Sequence, residues 1–407
     1  MMRIALQSEN IQEALPMKRS NKIHNAFSDK LIRLIAPLLS LLLLAGCSAA
    51  QGDQTVEAQT EEAQNGDIQT DETQTEEIRT DEAQTEETLT GDELYEKGRE
   101  ADTAEDYKTA YEYYSRAAEL GNAAGINALG ALYYSGLYVE QSREKARECF
   151  EAAAKQDNVK GLYNLGLLYD EDGEYEKAFE NIKRSADLGY DEGQVRTGYM
   201  YEYGRGVEKD YDKALEYYRK SAEQGSYFGF YNLGILSLDG HGLKQSYENG
   251  INYMTQSALM DYDGGFQVLG ELYRDGEGVE KDNNKAADFF NKAAEMGNEE
   301  GKKCYDEMVS DGRIPKDYKP SEPSLNMDYD KLCDRGLEAA GKEDYETAYA
   351  CFLCAAEGGN AKAQYELGDL YANGSGVEKS SEKAEEYYKA AADKGDEDAR
   401  KALEALK

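Results

Sequence analysis

The 407-residue sequence has no tryptophan, only two histidines and five prolines, and few basic residues. Its 46 lysines and arginines stand against 82 aspartates and glutamates, which gives a formal net charge of −36. So acidic a chain is a poor match for nucleic acid or for an anionic lipid surface, and we expect neither as a partner. The two histidines, His24 and His241, are too few for a multi-histidine metal site. We expect no metal and no cofactor.

The most regular feature is a segment of the form Leu-Gly-x-x-Tyr, with threonine in place of leucine in one copy and serine in place of tyrosine in another. Its glycine recurs at Gly130, Gly166, Gly198, Gly234, Gly270 and Gly368. The first four steps between these glycines are 36, 32, 36 and 36 residues. A helical pair that repeats at about this period predicts an all-α fold, an α-solenoid of antiparallel helix pairs.

The stretch 201–225 is the clearest copy of the repeated unit. Gly204 and Gly206 allow the backbone angles that reverse the chain, and Asp210 is placed to cap the next helix. In that helix one face has the apolar spacing of a buried side. It carries Ala214, Leu215, Tyr217, Tyr218, Ser221 and Ala222.

Three motifs resemble the Sel1-like repeat family, a branch of the tetratricopeptide-like repeats. They read LGALYYSG at 129–136, LGELYRDGEGVEKDNNKA at 269–286, and LGDLYANGSGVEKSSEKAEEYYKAAADKG at 367–395. The resemblance covers about residues 94–407. It implies a superhelix that serves as a scaffold for protein contacts, and it implies no reaction.

The first 46 residues have the pattern of an export signal, with scattered basic residues before an apolar run at 34–44. The run ends in Leu-Ala-Gly-Cys47, which looks like a bacterial lipobox with lipid on the cysteine sulfur. We therefore expect a lipid-anchored protein on the extracytoplasmic side of a bacterial cell membrane. An uncleaved signal anchor is the alternative. Residues 47–93 are acidic and of low complexity, which predicts a disordered linker.

The repeats fall into two arrays. Residues 94–122 align without gaps to 332–360, and both copies are compact starting units without the Gly-x-Gly turn. Between them, Pro315, Pro320 and Pro323 predict a break in helical stacking. We therefore expect a first array over 94–312, a linker over 313–326, and a second, short array over 327–407 that closes with a capping helix. The short array should dock on the long one, with a hinge as the alternative.

Two sets of residues could suggest chemistry. Cys351 and Cys354 have CxxC spacing but lie in the middle of a predicted helix. The preferred interpretation is therefore that they are small residues that fill helix positions. A disulfide from Cys333 to one of them is left open. Ser142 and Ser380 fit the pattern Ser-x-x-Lys found in β-lactamases. Both precede a second helix, where serine caps well, so we expect helix starts and no enzyme.

The remaining candidate is a surface. In the family, the first helices of successive repeats line the concave side, so two positions in each copy should face a groove. The three central copies supply an apolar, tyrosine-rich band of candidate partner-binding residues: Tyr163, Leu167, Val195, Tyr199, Tyr231 and Ile235. Such a band suits capture of a peptide or helix. Packing against neighbouring first helices is the alternative interpretation.

The preferred function is therefore a membrane-anchored, extracytoplasmic scaffold that binds another protein or peptide through the groove of the long array. The alternative is a cell-envelope enzyme or ligand-binding protein of the β-lactamase-like, cysteine-rich repeat type. A structural spacer is a third interpretation, but a spacer would have a polar groove.

Overall fold

A computed structural model describes residues 89–406. The predicted signal peptide and almost all of the predicted linker lie outside these residues. The account below concerns the compact unit Tyr95–Lys407. Across the described residues the chain forms eighteen α-helices and no strand. None of the helices in this range has the length and apolar character needed to cross a membrane.

Thirteen helices precede the proline-containing segment. They are α1 Gly91–Thr103, α2 Tyr107–Glu119, α3 Ala123–Ser135, α4 Arg143–Ala154, α5 Val159–Glu171, α6 Tyr175–Asp187, α7 Asp191–Tyr203, α8 Tyr211–Glu223, α9 Tyr227–Asp239, α10 Tyr247–Leu259, α11 Asp263–Asp275, α12 Asn283–Glu295 and α13 Glu299–Ser310. Five helices follow it: α14 Tyr329–Gly341, α15 Tyr345–Glu357, α16 Ala361–Asn373, α17 Ser381–Asp393 and α18 Glu397–Leu406.

The repeated glycine lets the two helices of a pair approach closely. A Cβ atom on Gly198 of α7 would lie 2.6 Å from a ring carbon of Tyr218 on α8, which no side chain tolerates without a shift. The same first-helix position faces a second-helix aromatic ring in other copies. The turn behaves as predicted, because Gly204 and Gly206 have φ of 69° and 71°, and Asp210 accepts a hydrogen bond of 3.1 Å from the Lys213 amide.

Successive helices from α2 to α13 pack in order, each on the next. The first helices also contact one another along the array, since α3 packs on α5 as well as on α4. This arrangement is the predicted all-α solenoid of helix pairs. It stacks the first helices α3, α5, α7, α9 and α11 in one layer and their second helices in another.

The segment after α13 covers the end of the long array, where a second helix is missing. Ile314 is buried in a cluster with Phe290 and Met308. Tyr318 donates a hydrogen bond of 2.8 Å to Asp288, and the hydroxyl of Ser321 donates one of 2.6 Å to the same carboxylate. The proline-containing segment is therefore bound to the array that it leaves.

The short array packs against the second helices of the long array, so its predicted docking is confirmed. Helix α15 lies on α10. Arg219 of α8 forms two bonds of 2.7 Å to Glu346, and Asn249 of α10 donates one of 3.2 Å to Thr347. Arg335 binds Glu248 at 2.7 Å. These contacts join α8 and α10 to α14 and α15 of the short array.

Helix α15 is buried on all sides because it packs both on α14 and on α10. Nine consecutive residues from Ala348 to Ala356 are buried. Its counterpart in the first starting unit, α2, buries only three residues. The sequence records this difference, since Ala350, Leu353 and Cys354 stand where α2 has Glu112, Ser115 and Arg116.

Candidate partner-binding surface

The predicted band lies on three neighbouring first helices, α5, α7 and α9, as expected. Most of its side chains are nevertheless buried. Tyr163 is 6% exposed, Val195 4%, Tyr199 7% and Tyr231 2%. Helix α7 has ten consecutive buried residues and α9 ten in all. Second helices alone cover one side of a first helix, so burial this extensive reflects packing among first helices as well.

The rings show which neighbours cover the band. Tyr163 lies edge-on to Tyr190, with ring centroids 5.4 Å apart, and Tyr231 lies edge-on to Tyr262 at 5.2 Å. Tyr190 and Tyr262 are the residues that precede α7 and α11. The packing alternative therefore accounts for the buried part of these tyrosines. Whether they bind a partner stays a prediction.

The accessible part of the first-helix layer differs from the predicted band. Leu167 and Ile235 are partly exposed. Tyr203, which the sequence analysis did not select, is 50% exposed and its ring lies 4.6 Å from that of Tyr199. It follows Tyr199 by one helical turn on the same helix, so the i, i+4 rule could have found it. We define the groove strip as Leu167, Tyr203 and Ile235.

Charged side chains are buried beside the groove strip. Asp170, at the end of α5, accepts a bond of 2.7 Å from Arg196 of α7 and one of 2.5 Å from Arg205. Arg196 also lies over the ring of Tyr199, 5.0 Å from its centroid. The carboxylate of Glu202 accepts a bond of 2.8 Å from Tyr218, and burial raises its pKa. These bonds fix the orientation of α7 relative to its neighbours.

A second polar cluster joins the arrays. Glu223, at the end of α8, has a side chain only 9% exposed and binds Lys383 at 2.5 Å. It also accepts hydrogen bonds from the hydroxyls of Tyr349 and Tyr371. Arg219 lies over the ring of Tyr349 at 4.5 Å. We define the interarray cluster as Arg219, Glu223, Glu346, Tyr349, Tyr371 and Lys383.

The two serine motifs are helix starts, as expected. Ser142 and Ser380 accept hydrogen bonds of 3.3 Å and 3.2 Å from the amides of Lys145 and Lys383. Each hydroxyl therefore satisfies a free amide of the first helical turn. The side chain of Lys383 is bound to Glu223 rather than to the serine.

His241 lies in the turn after α9 and is half-buried, because its ring stacks on Tyr211 with ring centroids 4.7 Å apart. Within residues 89–406 no three metal-binding side chains lie close enough to hold an ion.

All five cysteines of the described region are free thiols. The disulfide left open between Cys333 and the pair on α15 is thus not formed in this structure. Cys351 and Cys354 are fully buried in the middle of α15. Burial raises the pKa of Cys351 to about 11 and that of Cys354 well above its usual value. Thiols of this kind are protonated and unreactive at neutral pH, which agrees with a packing role.

Comparison with protein-family models identifies the repeat. The model of the Sel1 repeat matches eight times, over residues 88–122, 123–158, 159–190, 191–226, 231–262, 268–298, 332–360 and 361–396. These matches cover more than half of the chain. The chain belongs to the Sel1 repeat family. The Sel1 repeats stop at residue 298 and resume at 332, on either side of the proline-containing segment.

Solved structures of bacterial Sel1 repeat proteins resemble the chain in part. A protective antigen of uropathogenic Escherichia coli strains is 28% identical over 73% of this chain and 67% of its own, with a TM-score of 0.46. A Sel1 repeat protein from Oxalobacter formigenes is 22% identical over 86% of this chain and 98% of its own, with a TM-score of 0.43. Among curated proteins, none matches the chain.

Sel1 repeat proteins are generally scaffolds for protein interaction and are typically not catalysts. For the present member this agrees with the geometry just described. In the described region, Ser142 and Ser380 cap helices, Cys351 and Cys354 are packed in a helix, and buried ion pairs hold helices together.

Proposed function

We propose that this Sel1 repeat protein is a membrane-anchored, extracytoplasmic scaffold that binds a partner protein or peptide on the first-helix layer of its long array, without catalysis of its own. The observation that supports this most directly is the position of the short array. It contacts the second helices α8 and α10 through Arg219, Glu223 and Asn249, whereas the groove strip lies on first helices.

The groove strip supports capture of a peptide by its composition. Leu167 and Ile235 form an apolar centre, and the half-exposed ring of Tyr203 lies on the helix between theirs. Tyr203 adds both contact area and a hydroxyl. Tyrosine anchors of this kind contribute strongly to protein interfaces because the side chain is rigid and amphipathic.

Capture from cells that display the full-length protein tests the proposal. In one variant, Leu167→Asp and Ile235→Asp place carboxylates in the groove strip. In the matched variant, Leu120→Asp and Leu188→Asp place them on leucines that are 62% and 48% exposed at the ends of α2 and α6. We expect the groove variant alone to lose the partner. Retention by the groove variant, with its helix content unchanged, would reject the first-helix layer as the binding surface.

The anchor is proposed on the sequence motif at Cys47, which lies outside the described residues. A lipid on this cysteine would hold the protein to the membrane. The variant Cys47→Ser should move the protein from the membrane fraction to the soluble fraction. If the variant stays with the membrane while the leader is still cleaved, lipid on Cys47 is not the anchor.

A further inference from the structure

The starting ends of three first helices form a tyrosine-rich, acidic edge on the same helix layer as the groove strip. Each end contributes an aromatic ring, and two of them contribute carboxylates. We define the acidic edge as Tyr190, Asp191 and Glu192 at the start of α7, Tyr227 at the start of α9, and Tyr262 and Asp263 at the start of α11.

The aromatic rings form a floor and a rim. Tyr262 is 4% exposed and stacks on Tyr227, with ring centroids 5.1 Å apart. On the other side, buried Tyr163 lies under Tyr190 at 5.4 Å. Tyr190 and Tyr227 are themselves only partly buried. The edge therefore has a closed aromatic base and rings that a ligand can reach from solvent.

The carboxylates of this edge have no cation. Within the described residues, Asp191, Glu192 and Asp263 take part in none of the ion pairs of the protein. Asp263 is oriented by the Gly264 amide at 2.9 Å and by Asn298 at 3.0 Å. One oxygen of Glu192 is buried without a hydrogen-bond partner. Burial and the neighbouring Asp191 raise the pKa of Glu192 to about 7.

A second, independent feature lies at the same place. The hydroxyl of Tyr163 is buried and has no hydrogen-bond partner, and the whole residue is 6% exposed. Asp191 and Glu192 are close enough to influence its ionisation. Arg196 is a cation that also influences Tyr163, but it is bound to Asp170 at 2.7 Å. The buried Glu192 oxygen and the Tyr163 hydroxyl, both without a partner, call for an additional hydrogen-bonding group.

We infer that the acidic edge takes up a lysine or arginine side chain of the partner. Ring faces attract a cation, and carboxylates close to them accept its hydrogen bonds. The overall charge of −36 also favours a basic partner. This inference rests on the proposed function, because the cationic side chain belongs to a partner bound on the first-helix layer.

Binding of a fluorescein-labelled tetralysine peptide to the full-length protein tests the inference. The site variant carries Asp191→Asn and Glu192→Gln, and the matched variant carries Glu176→Gln and Glu180→Gln on exposed positions of α6. Both replace two carboxyl groups with amides. We expect the site variant to bind about tenfold more weakly than wild type, and the matched variant to bind almost as wild type does. A tetra-acetyl-lysine peptide should not bind.

Equal weakening in both variants would overturn the inference, since bulk charge alone would then explain binding. So would an unchanged affinity of the site variant, or no binding to wild type. If the site variant fails to fold, Asp263→Asn takes its place with the same expectation. Capture of the cellular partner separates the two ideas. Partner loss with Leu167→Asp and Ile235→Asp, but an unchanged tetralysine affinity in the site variant, would leave only the proposed function standing.

Discussion

At the scale of single residues, Glu223 is one carboxylate that binds three side chains of the short array. It accepts from two tyrosine hydroxyls and from the ammonium of Lys383, and its side chain is 9% exposed. Removing one partner of a buried pair leaves the others without compensation, which costs about 3 kcal/mol or more. We therefore predict that Glu223→Ala lowers the free energy of unfolding by about 3 kcal/mol, measured by urea denaturation.

The matched control is Glu216→Ala, two helical turns earlier on α8. Glu216 pairs with Lys220 at 2.5 Å, but their side chains are 42% and 33% exposed. Exposed pairs of this kind contribute about 0.5 kcal/mol or less. Equal effects of the two substitutions would contradict the role given to the interarray cluster.

Glu192 gives a prediction about pH. Its pKa is raised to about 7 by burial and by Asp191, from an ordinary 4.5. A carboxyl that holds its proton more tightly in the folded state stabilises the fold below pH 4.5 and loses that contribution as pH rises through 7. Relative to Glu192→Gln, wild type should lose stability between pH 5 and pH 8, on the order of 1 kcal/mol after screening by solvent.

Denaturation of both proteins at the two pH values measures this difference. Glu180→Gln, an exposed position on α6, serves as the control and should follow wild type at both values. A difference between wild type and Glu192→Gln that stays constant with pH would show that the carboxyl is not perturbed in the folded protein.

At the scale of elements, α15 and α2 are two versions of one helix. Ala350 of α15 is 1% exposed and lies beside α10, where its counterpart Glu112 in α2 is exposed. A glutamate at 350 would be desolvated in the contact between the arrays. We predict that Ala350→Glu releases the short array, so that the segment 311–328 becomes sensitive to protease and the radius of gyration rises.

The reverse change, Glu112→Ala, is the control and should leave the protease pattern and the radius of gyration unchanged. If Ala350→Glu unfolds the long array as well, shown by a loss of most of the helix content, the two arrays do not separate as units. Unchanged protease resistance would contradict the docking of α15 on α10.

Helices and turns could be predicted from the sequence because their causes are local. Gly204 and Gly206 define the turn, and Asp210 defines the helix start, whatever lies elsewhere in the chain. Burial of the first helices was predicted only as an alternative, because the rings that cover Tyr163 and Tyr231 lie far along the chain, just before the next first helix. Helix period alone does not separate a groove-facing side chain from one packed on a neighbour.

The contact between the arrays could have been predicted more fully. Docking was expected from the small size of the second array, but not its location. The exchange of Glu112 and Arg116 for Ala350 and Cys354 marks a face that has become apolar, and a comparison of the two starting units would have identified it. Arg219 and Glu223 gave no such signal, since charged residues on a second helix are usually solvated.

At the scale of the whole molecule, the account separates two surfaces. The second helices α8 and α10 hold the short array, and the first-helix layer carries the groove strip and the acidic edge. The central claim is that the partner binds to the first-helix layer. The separation makes the claim testable by position, since a probe on either layer reports only nearby contacts.

The most direct measurement places a photo-crosslinking amino acid at Ile235 of the groove strip in one variant and at Glu180 on α6 in another, in cells that display the full-length protein. The account predicts one dominant crosslinked partner from position 235, reduced when Tyr203→Ala is added, and none from position 180. Crosslinks from position 180 alone would contradict the account and place the interaction on the second helices. Equal crosslinking from both positions would also contradict it and indicate nonspecific contact.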